Sequence, residues 1–166
     1  VHPGYYTDKP GMYWAIIQNS NKCAPGYFCT GAAKSAYDQP CPVGTYTATE
    51  AQSACVTCPA GYYCPSGTTN PSDHDNLRCP VGSHCPLGSK SPIHCAAGSY
   101  QDERTQSACK SCPEGYYCES GSSTPIECPV NTMASKGSGG CTPCPNGQFT
   151  KVAGASACFE CPSSKF

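Results

Sequence analysis

The chain is short of almost everything from which an ordinary hydrophobic core is made. Leu, Ile, Val and Phe together number 16 of 166 residues, with a single Trp and two Met. That is about half of the roughly 20% below which chains tend not to fold. At about 25 cal/mol per Å² of buried apolar area, so few aliphatic side chains cannot offset a backbone ordering cost of about 1–2 kcal/mol per residue. A run of some 20 apolar residues, the requirement for a membrane-spanning helix, is also missing. The longest apolar stretch, Met12 to Ile17 (MYWAII), is too short for a signal peptide's apolar region with its flanks. Charge is scarce as well. With 13% charged residues and a net charge of −1, neither nucleic acid nor an anionic membrane is an implied partner. No Gly-x-Ser-x-Gly, His-Glu-x-x-His, phosphate loop or dinucleotide fingerprint occurs, so the sequence points to no enzyme and no cofactor.

Cysteine is what the chain has in its place. Cys, Gly and Pro each number 17. Cysteine at about a tenth of the residues marks a disulfide scaffold, and hence an oxidising location that is extracellular or at the cell surface. The cysteines also repeat. CPVGTYTATEAQSACVTCPAGYYC, from Cys41 to Cys64, recurs from Cys95 to Cys118 as CAAGSYQDERTQSACKSCPEGYYC, with identical spacing and 13 of 24 residues the same. Self-similarity at a fixed period signals a repeat architecture.

Two kinds of module follow from the spacing. Short ones read Cys-x-x-Gly-x-x-Cys: Cys23 with Cys29, Cys58 with Cys64, Cys79 with Cys85, Cys112 with Cys118. Long ones close 13 or 14 residues on: Cys41 with Cys55, Cys95 with Cys109, Cys128 with Cys141, Cys144 with Cys158. Polar connectors such as SGSSTPIEC lead from a short module to the next long one and read as turns. Pairing within each module uses sixteen cysteines. Cys161 then stays unpaired, opening CPSSKF as the start of a cut-off repeat, which makes the chain read as a mature chain or a piece of a larger one. Sequence alone does not fix connectivity, and a crossed pairing of Cys58 with Cys79 and Cys64 with Cys85 stays open.

This organisation divides the chain into a cysteine-free segment 1–22, cysteine-rich blocks 23–78 and 79–127, and a third, truncated block 128–166. VHPGYYT, Val1 to Thr7, copies a short module with Val and Thr at the cysteine positions. Pro-x-Gly predicts a turn with a positive φ at glycine, and the Tyr residues that follow favour short strands. The expected fold is a set of small disulfide-rich repeats, elongated, with short antiparallel β pieces and turns and almost no helix. Each module is expected to touch only its neighbours. One strand is predicted from Met12 to Gln18, and one helical turn over Ala48 to Ala54.

Four Cys-x-x-Cys pairs lie at module junctions: Cys55/Cys58, Cys109/Cys112, Cys141/Cys144 and Cys158/Cys161. Zinc ribbons need two such pairs around one ion, and the Gly/Ser/Tyr-rich setting favours structural disulfides over metal. His2, His74, His84 and His94 show no ligand spacing with one another, and Asp73-His74-Asp75-Asn76 lacks the remaining ligands of a calcium loop. No metal site is expected. Tyr46, Tyr62, Tyr63, Tyr100, Tyr116 and Tyr117, with Phe28 and Phe149 equivalent, are expected to pack on disulfides and neighbouring modules. A row of such rings is also what a glycan- or protein-binding face would use. Ser and Thr beside Pro, as in GTTNPS, suit O-linked glycans, whereas the proline in Asn70-Pro71-Ser72 excludes that N-linked acceptor.

The Cys-Pro-x-Gly-x-Tyr openings at 41, 58 and 112, with looser versions at 95 and 144, and the Ser-Ala-Cys-x-x-Cys closings at 55, 109 and 158 resemble ephrin-receptor-type cysteine-rich repeats. Tumour necrosis factor receptor modules, which use the crossed pairing, are more distantly similar. The short CPxGYYC form is similar to repeats in large surface proteins of protists and algae. The resemblance covers Cys23 onward and departs at Asn131, which stands where the repeat has Gly. It implies an extracellular structural or adhesive role and transfers no catalytic residues.

The expected function is an extracellular structural repeat of a larger surface or filament protein, a glycoprotein whose partners are copies of itself or neighbouring repeats. Trp14, Ile16 and Ile17 form the one apolar run without a cysteine to cover it, and are expected to meet Phe159 and Phe166 of the next copy. The alternative is a receptor-type ectodomain that binds a protein or glycan through its tyrosine-lined face.

Overall fold

The computed structural model describes residues 2–7, 21–31 and 33–162. The strand expected over Met12 to Gln18 and the contact residues Trp14, Ile16, Ile17 and Phe166 lie outside them. The described residues fall into two compact bodies. The first comprises residues up to Cys79 together with Cys85–Pro92, and the second Pro80–His84 together with Ile93 onward.

Among the described residues regular structure is minimal. Seven antiparallel pairs of two-residue strands join Tyr27–Phe28 to Gln39–Pro40, Thr45–Tyr46 to Val56–Thr57, Ser83–His84 to Ile93–His94, Ser99–Tyr100 to Lys110–Ser111, Tyr116–Tyr117 to Ile126–Glu127, Thr132–Met133 to Thr142–Pro143, and Gln148–Phe149 to Phe159–Glu160. One register runs through all of them. The sixth residue of a module, counted from its first cysteine, faces the residue two before the first cysteine of the next. Among the described residues, helix is confined to two single 3₁₀ turns, Pro71–Asp73 and Asp75–Leu77, the first capped by Asn70, whose side chain accepts from Ser72 N–H at 3.3 Å.

Ala48 to Ala54 does not form the helical turn that its composition predicts. Ala51 sits at φ +60°, and its N–H donates at 2.9 Å to the carbonyl of Cys23 in the preceding module. The donor a helical turn would need is spent on a contact between modules, and local propensity gives way to it.

That contact belongs to a repeating backbone ladder. The N–H of each opening cysteine donates to the carbonyl of the fourth residue of the module before: Cys41 to Gly26, Cys58 to Gly44, Cys79 to Gly61, Cys95 to Gly82, Cys112 to Gly98, Cys128 to Gly115, all at 2.8–2.9 Å. The N–H of that fourth residue reaches forward to the seventh residue of the next module: Gly44 to Cys64, Gly61 to Cys85, Gly82 to Gln101, Gly98 to Cys118. A second left-handed residue further along each module donates back to the opening cysteine of the previous one, as Gly67 does to Cys41 and Gly121 to Cys95. Backbone groups that a conventional fold pairs in sheets and helices are paired here between turns.

The ladder also reaches beyond the nearest module, which corrects the expectation that modules touch only their neighbours. The open side of Gly26 holds the carbonyl of Gly67, that of Gly44 the carbonyl of Gly88, and that of Gly98 the carbonyl of Gly137, each two modules on. A missing Cβ leaves room for a second layer of backbone. The glycines at the fourth position of these modules are therefore needed twice, for a positive φ and for this close approach.

Disulfides fill the interior. Eight join described residues: Cys23–Cys29, Cys41–Cys55, Cys58–Cys64, Cys79–Cys85, Cys95–Cys109, Cys112–Cys118, Cys128–Cys141 and Cys144–Cys158, with Cα separations of 5.7–6.0 Å. Cys161 is free and exposed. On the loop-closure model each bridge stabilises by about 2–3 kcal/mol. The two module types share one backbone path. In short modules the seventh residue is the second cysteine. In long ones Thr47, Gln101, Ala134 and Thr150 take that place, none more than 4% exposed, while the bridge closes further along the chain.

Candidate functional site

Three features of the described surface could carry function. The first is the aromatic series on the strand pairs. Tyr46 faces Val56, Tyr100 faces Lys110, Tyr117 faces Ile126 and Phe149 faces Phe159. The rings at Tyr46, Tyr62, Tyr63, Tyr100, Tyr116 and Tyr117 are half-buried, and those at Phe28 and Phe149 likewise. Tyr63 is further fixed by donating its hydroxyl to the carbonyl of Asn76 at 2.8 Å. Val56, Ile126 and Phe159, the partners of Tyr46, Tyr117 and Phe149, are exposed, as is Ile93 opposite His84, at the same position of each module. Tyr27 and Tyr37 add an edge-to-face pair at 5.1 Å, with Tyr37 exposed.

The second feature is the C-terminal edge of the second body. A shallow cavity of about 270 Å³ is lined by Phe149, Lys151, Phe159, Glu160 and Pro162. Of the residues assigned to an assembly contact from sequence, Phe159 is the one described; it is 61% exposed and its ring forms part of this cavity. Gly147 has the same left-handed φ, +84°, as the other Pro-x-Gly glycines, yet, its chain neighbours aside, no described atom lies within 4 Å of where its Cβ would be. Cys128 is buried, Cys144 half-buried and Cys161 exposed.

The third is a group of ligand-type atoms. A ring nitrogen of His84 and the sulfurs of Cys95 and Cys109 lie within 4.8 Å of one another. His84 Nδ1 is 3.2 Å from Cys109 Sγ. A bridged sulfur carries no proton, so this hydrogen bond is donated by His84. With both sulfurs bonded to each other, the group offers a metal one imidazole and no thiolate. Helical or cysteine spacing does not reveal this proximity. The signal that could have done so is the repeat itself: His84 stands where modules before other long ones have Phe28, Tyr117 and Met133.

Electrostatics are mild. Lys110 Nζ lies 2.6 Å from Asp102 Oδ1 and 3.6 Å from Glu103 Oε1. The hydrogen bond from Lys110 holds the Asp102 carboxyl below the usual carboxylate range, and the same bond raises Lys110. No helix among the described residues is long and apolar enough to cross a membrane.

No curated protein matches the chain. A family model described as tyrosine-protein kinase ephrin type A/B receptor-like matches residues 132–166. The match spans the last long module and its flanks, with the Cys144–Cys158 bridge inside it. The chain is a set of small disulfide-rich repeats of the extracellular type, and its segment 132–166 is similar to ephrin-receptor-like cysteine-rich repeats.

Proposed function

We propose that this chain is an extracellular structural module of a larger surface or filament protein, built to join end to end with repeats of its own kind. The observation that carries the reading is the backbone ladder, in which each opening cysteine donates to the fourth residue of the module before it. Gly98 and Gly115 are in addition closed over by the carbonyls of Gly137 and Gly154, two modules on. This pairing uses backbone groups that every repeat of this kind carries, so repeats can be added to one another without specific side chains. The cavity at the last strand pair adds an apolar contact through Phe149 and Phe159, with Lys151 and Glu160 at its rim. Half-buried rings repeated along the modules supply packing between turns rather than one ligand-binding patch.

In the finer form of this proposal copies assemble head to tail into a fibre, with Trp14, Ile16 and Ile17 of one copy on the Phe159 edge of the next. A heterologous contact that does not close into a ring propagates without limit. The test compares wild type with Phe159→Ser and with a Trp14→Ser, Ile16→Ser double variant by sedimentation and electron microscopy, after mass spectrometry has verified all eight bridges. Concentration-dependent assembly in wild type, lost in both variants, is the expected result. A wild-type chain that stays monomeric at millimolar concentration, or variants that assemble unchanged, would refute the contact.

A further inference from the structure

Among the eight disulfides, Cys95–Cys109 is distinguished by an imidazole against its sulfur. Packing does not require a histidine there. At the equivalent position, the sixth of a module that precedes a long one, the chain elsewhere has Phe28, Tyr117 and Met133. His84 therefore places a nitrogen donor against the bridge at a position where other modules carry Phe, Tyr or Met.

The backbone around this bridge is held without it. Cys95 N–H donates to Gly82 at 2.9 Å, and its carbonyl accepts from Gly121 at 2.8 Å. His84 is fixed by strand pairing with Ile93. The 101–110 loop that delivers Cys109 has its own ties. The buried Gln101 donates Nε2–H to the carbonyl of Ala108 at 2.7 Å and accepts from Glu103 N–H at 3.1 Å, and Lys110 pairs with Asp102 across the loop. Opening the sulfur–sulfur bond thus leaves both cysteines beside His84 instead of releasing a strand.

We propose that His84, Cys95 and Cys109 form a zinc site that is switched on by reduction of this one bridge. The step balances with an external dithiol as reductant. The dithiol closes to its cyclic disulfide, delivering two electrons and two protons, and Cys95 and Cys109 become thiols. Binding of Zn²⁺ then displaces those two protons, and an imidazole nitrogen of His84 completes a two-sulfur, one-nitrogen set. Tetrahedral zinc takes sulfur at about 2.3 Å, which places the two sulfurs about 3.8 Å apart. A Cα separation of 5.8 Å accommodates that spacing by side-chain rotation alone. Three protein ligands leave the fourth position to water, the arrangement of an open site. Soft thiolates with one imidazole select zinc over calcium or magnesium.

The test uses the full chain and Co²⁺ as an optical stand-in for zinc. The protein is treated with a limiting dithiol, freed of reagent under argon, and titrated with Co²⁺, while alkylation and mass spectrometry identify the opened bridge. Expected are the visible bands of tetrahedral Co²⁺ with thiolate-to-metal charge transfer, their displacement by Zn²⁺, and labelling at Cys95 and Cys109 that Zn²⁺ prevents. His84→Phe, which installs a residue found at an equivalent position, should keep all eight bridges when oxidised. After reduction it should bind at least about 10-fold more weakly, since even outer partners of a metal site alter affinity by 10–100-fold. Equal affinity in His84→Phe and wild type overturns the site. So does an absence of tetrahedral bands with Cys95 and Cys109 open, or failure of that bridge to open before the others.

Discussion

The open side of Gly98 is filled by the carbonyl group of Gly137, two modules further along the chain. Gly98 also holds φ +87°, and its N–H donates to Cys118 while its carbonyl accepts from Cys112, both in the next module. One residue without a side chain thus ties three modules together. Gly147 has nearly the same φ, +84°, with no other described residue within 4 Å of where its Cβ would be, its chain neighbours aside. The pair separates two costs that a glycine substitution normally mixes. Gly147→Ala should lose about 1–2 kcal/mol from the left-handed backbone alone. Gly98→Ala should lose clearly more, about 3 kcal/mol or above, because the methyl needs space that backbone occupies. Denaturant unfolding of both variants measures the difference; equal losses would show that the close approach carries no energy.

Gln101 tests the shared path of short and long modules. It sits 2% exposed where a short module has its second cysteine. Its amide satisfies the carbonyl of Ala108 and the N–H of Glu103. Gln101→Ala should destabilise by about 1–3 kcal/mol, the cost of leaving buried polar groups without partners. Amide exchange should speed up over residues 102–109. Unchanged protection there would mean the loop is held by its disulfide alone.

The ion pair of Asp102 with Lys110 predicts a pH dependence of known sign. Its hydrogen bond lowers the folded pKa of Asp102, so its contribution is present above the unfolded carboxylate range and is lost as pH falls through the folded value. Lys110 is raised, so its share is complete below the unfolded lysine range and disappears as pH rises through the folded value. Both groups are open to solvent, so salt should weaken the effect. Carboxyl NMR titration of Lys110→Met should move the Asp102 midpoint upward. A midpoint that stays put would assign the shift to the backbone instead.

Complete reduction should abolish the fold. A chain with 16 Leu, Ile, Val and Phe residues has little else to hold it, and eight bridges at about 2–3 kcal/mol each exceed any ordinary net stability. Tyrosine near-ultraviolet dichroism should collapse with excess dithiol and return on reoxidation. Opening the Cys95–Cys109 bridge alone should preserve most of that signal. Retention of the full signal after all bridges are opened would place the stability elsewhere.

The sequence by itself determined the disulfide-rich class, the module spacing, the Pro-x-Gly turns and the near absence of helix. These follow from composition and from short-range backbone rules, which act within a few residues. It also exposed the departure at Asn131, though not why it is tolerated. Asn131 adopts φ +64°, a region asparagine enters more readily than most residues, and donates its N–H to Thr150 Oγ1 at 2.7 Å. What only the tertiary structure decided are relations between modules: the carbonyl of Gly137 against Gly98, the donor of Ala51 taken by Cys23, the seventh position shared by cysteine, Gln101 and Thr47, and His84 laid against the sulfur of Cys109. Most of the ties between modules, like that of Ala51 to Cys23, are backbone hydrogen bonds between residues distant in sequence that any residue type can make. Such bonds leave almost no mark on composition, and glycine records only the places where a side chain would not fit.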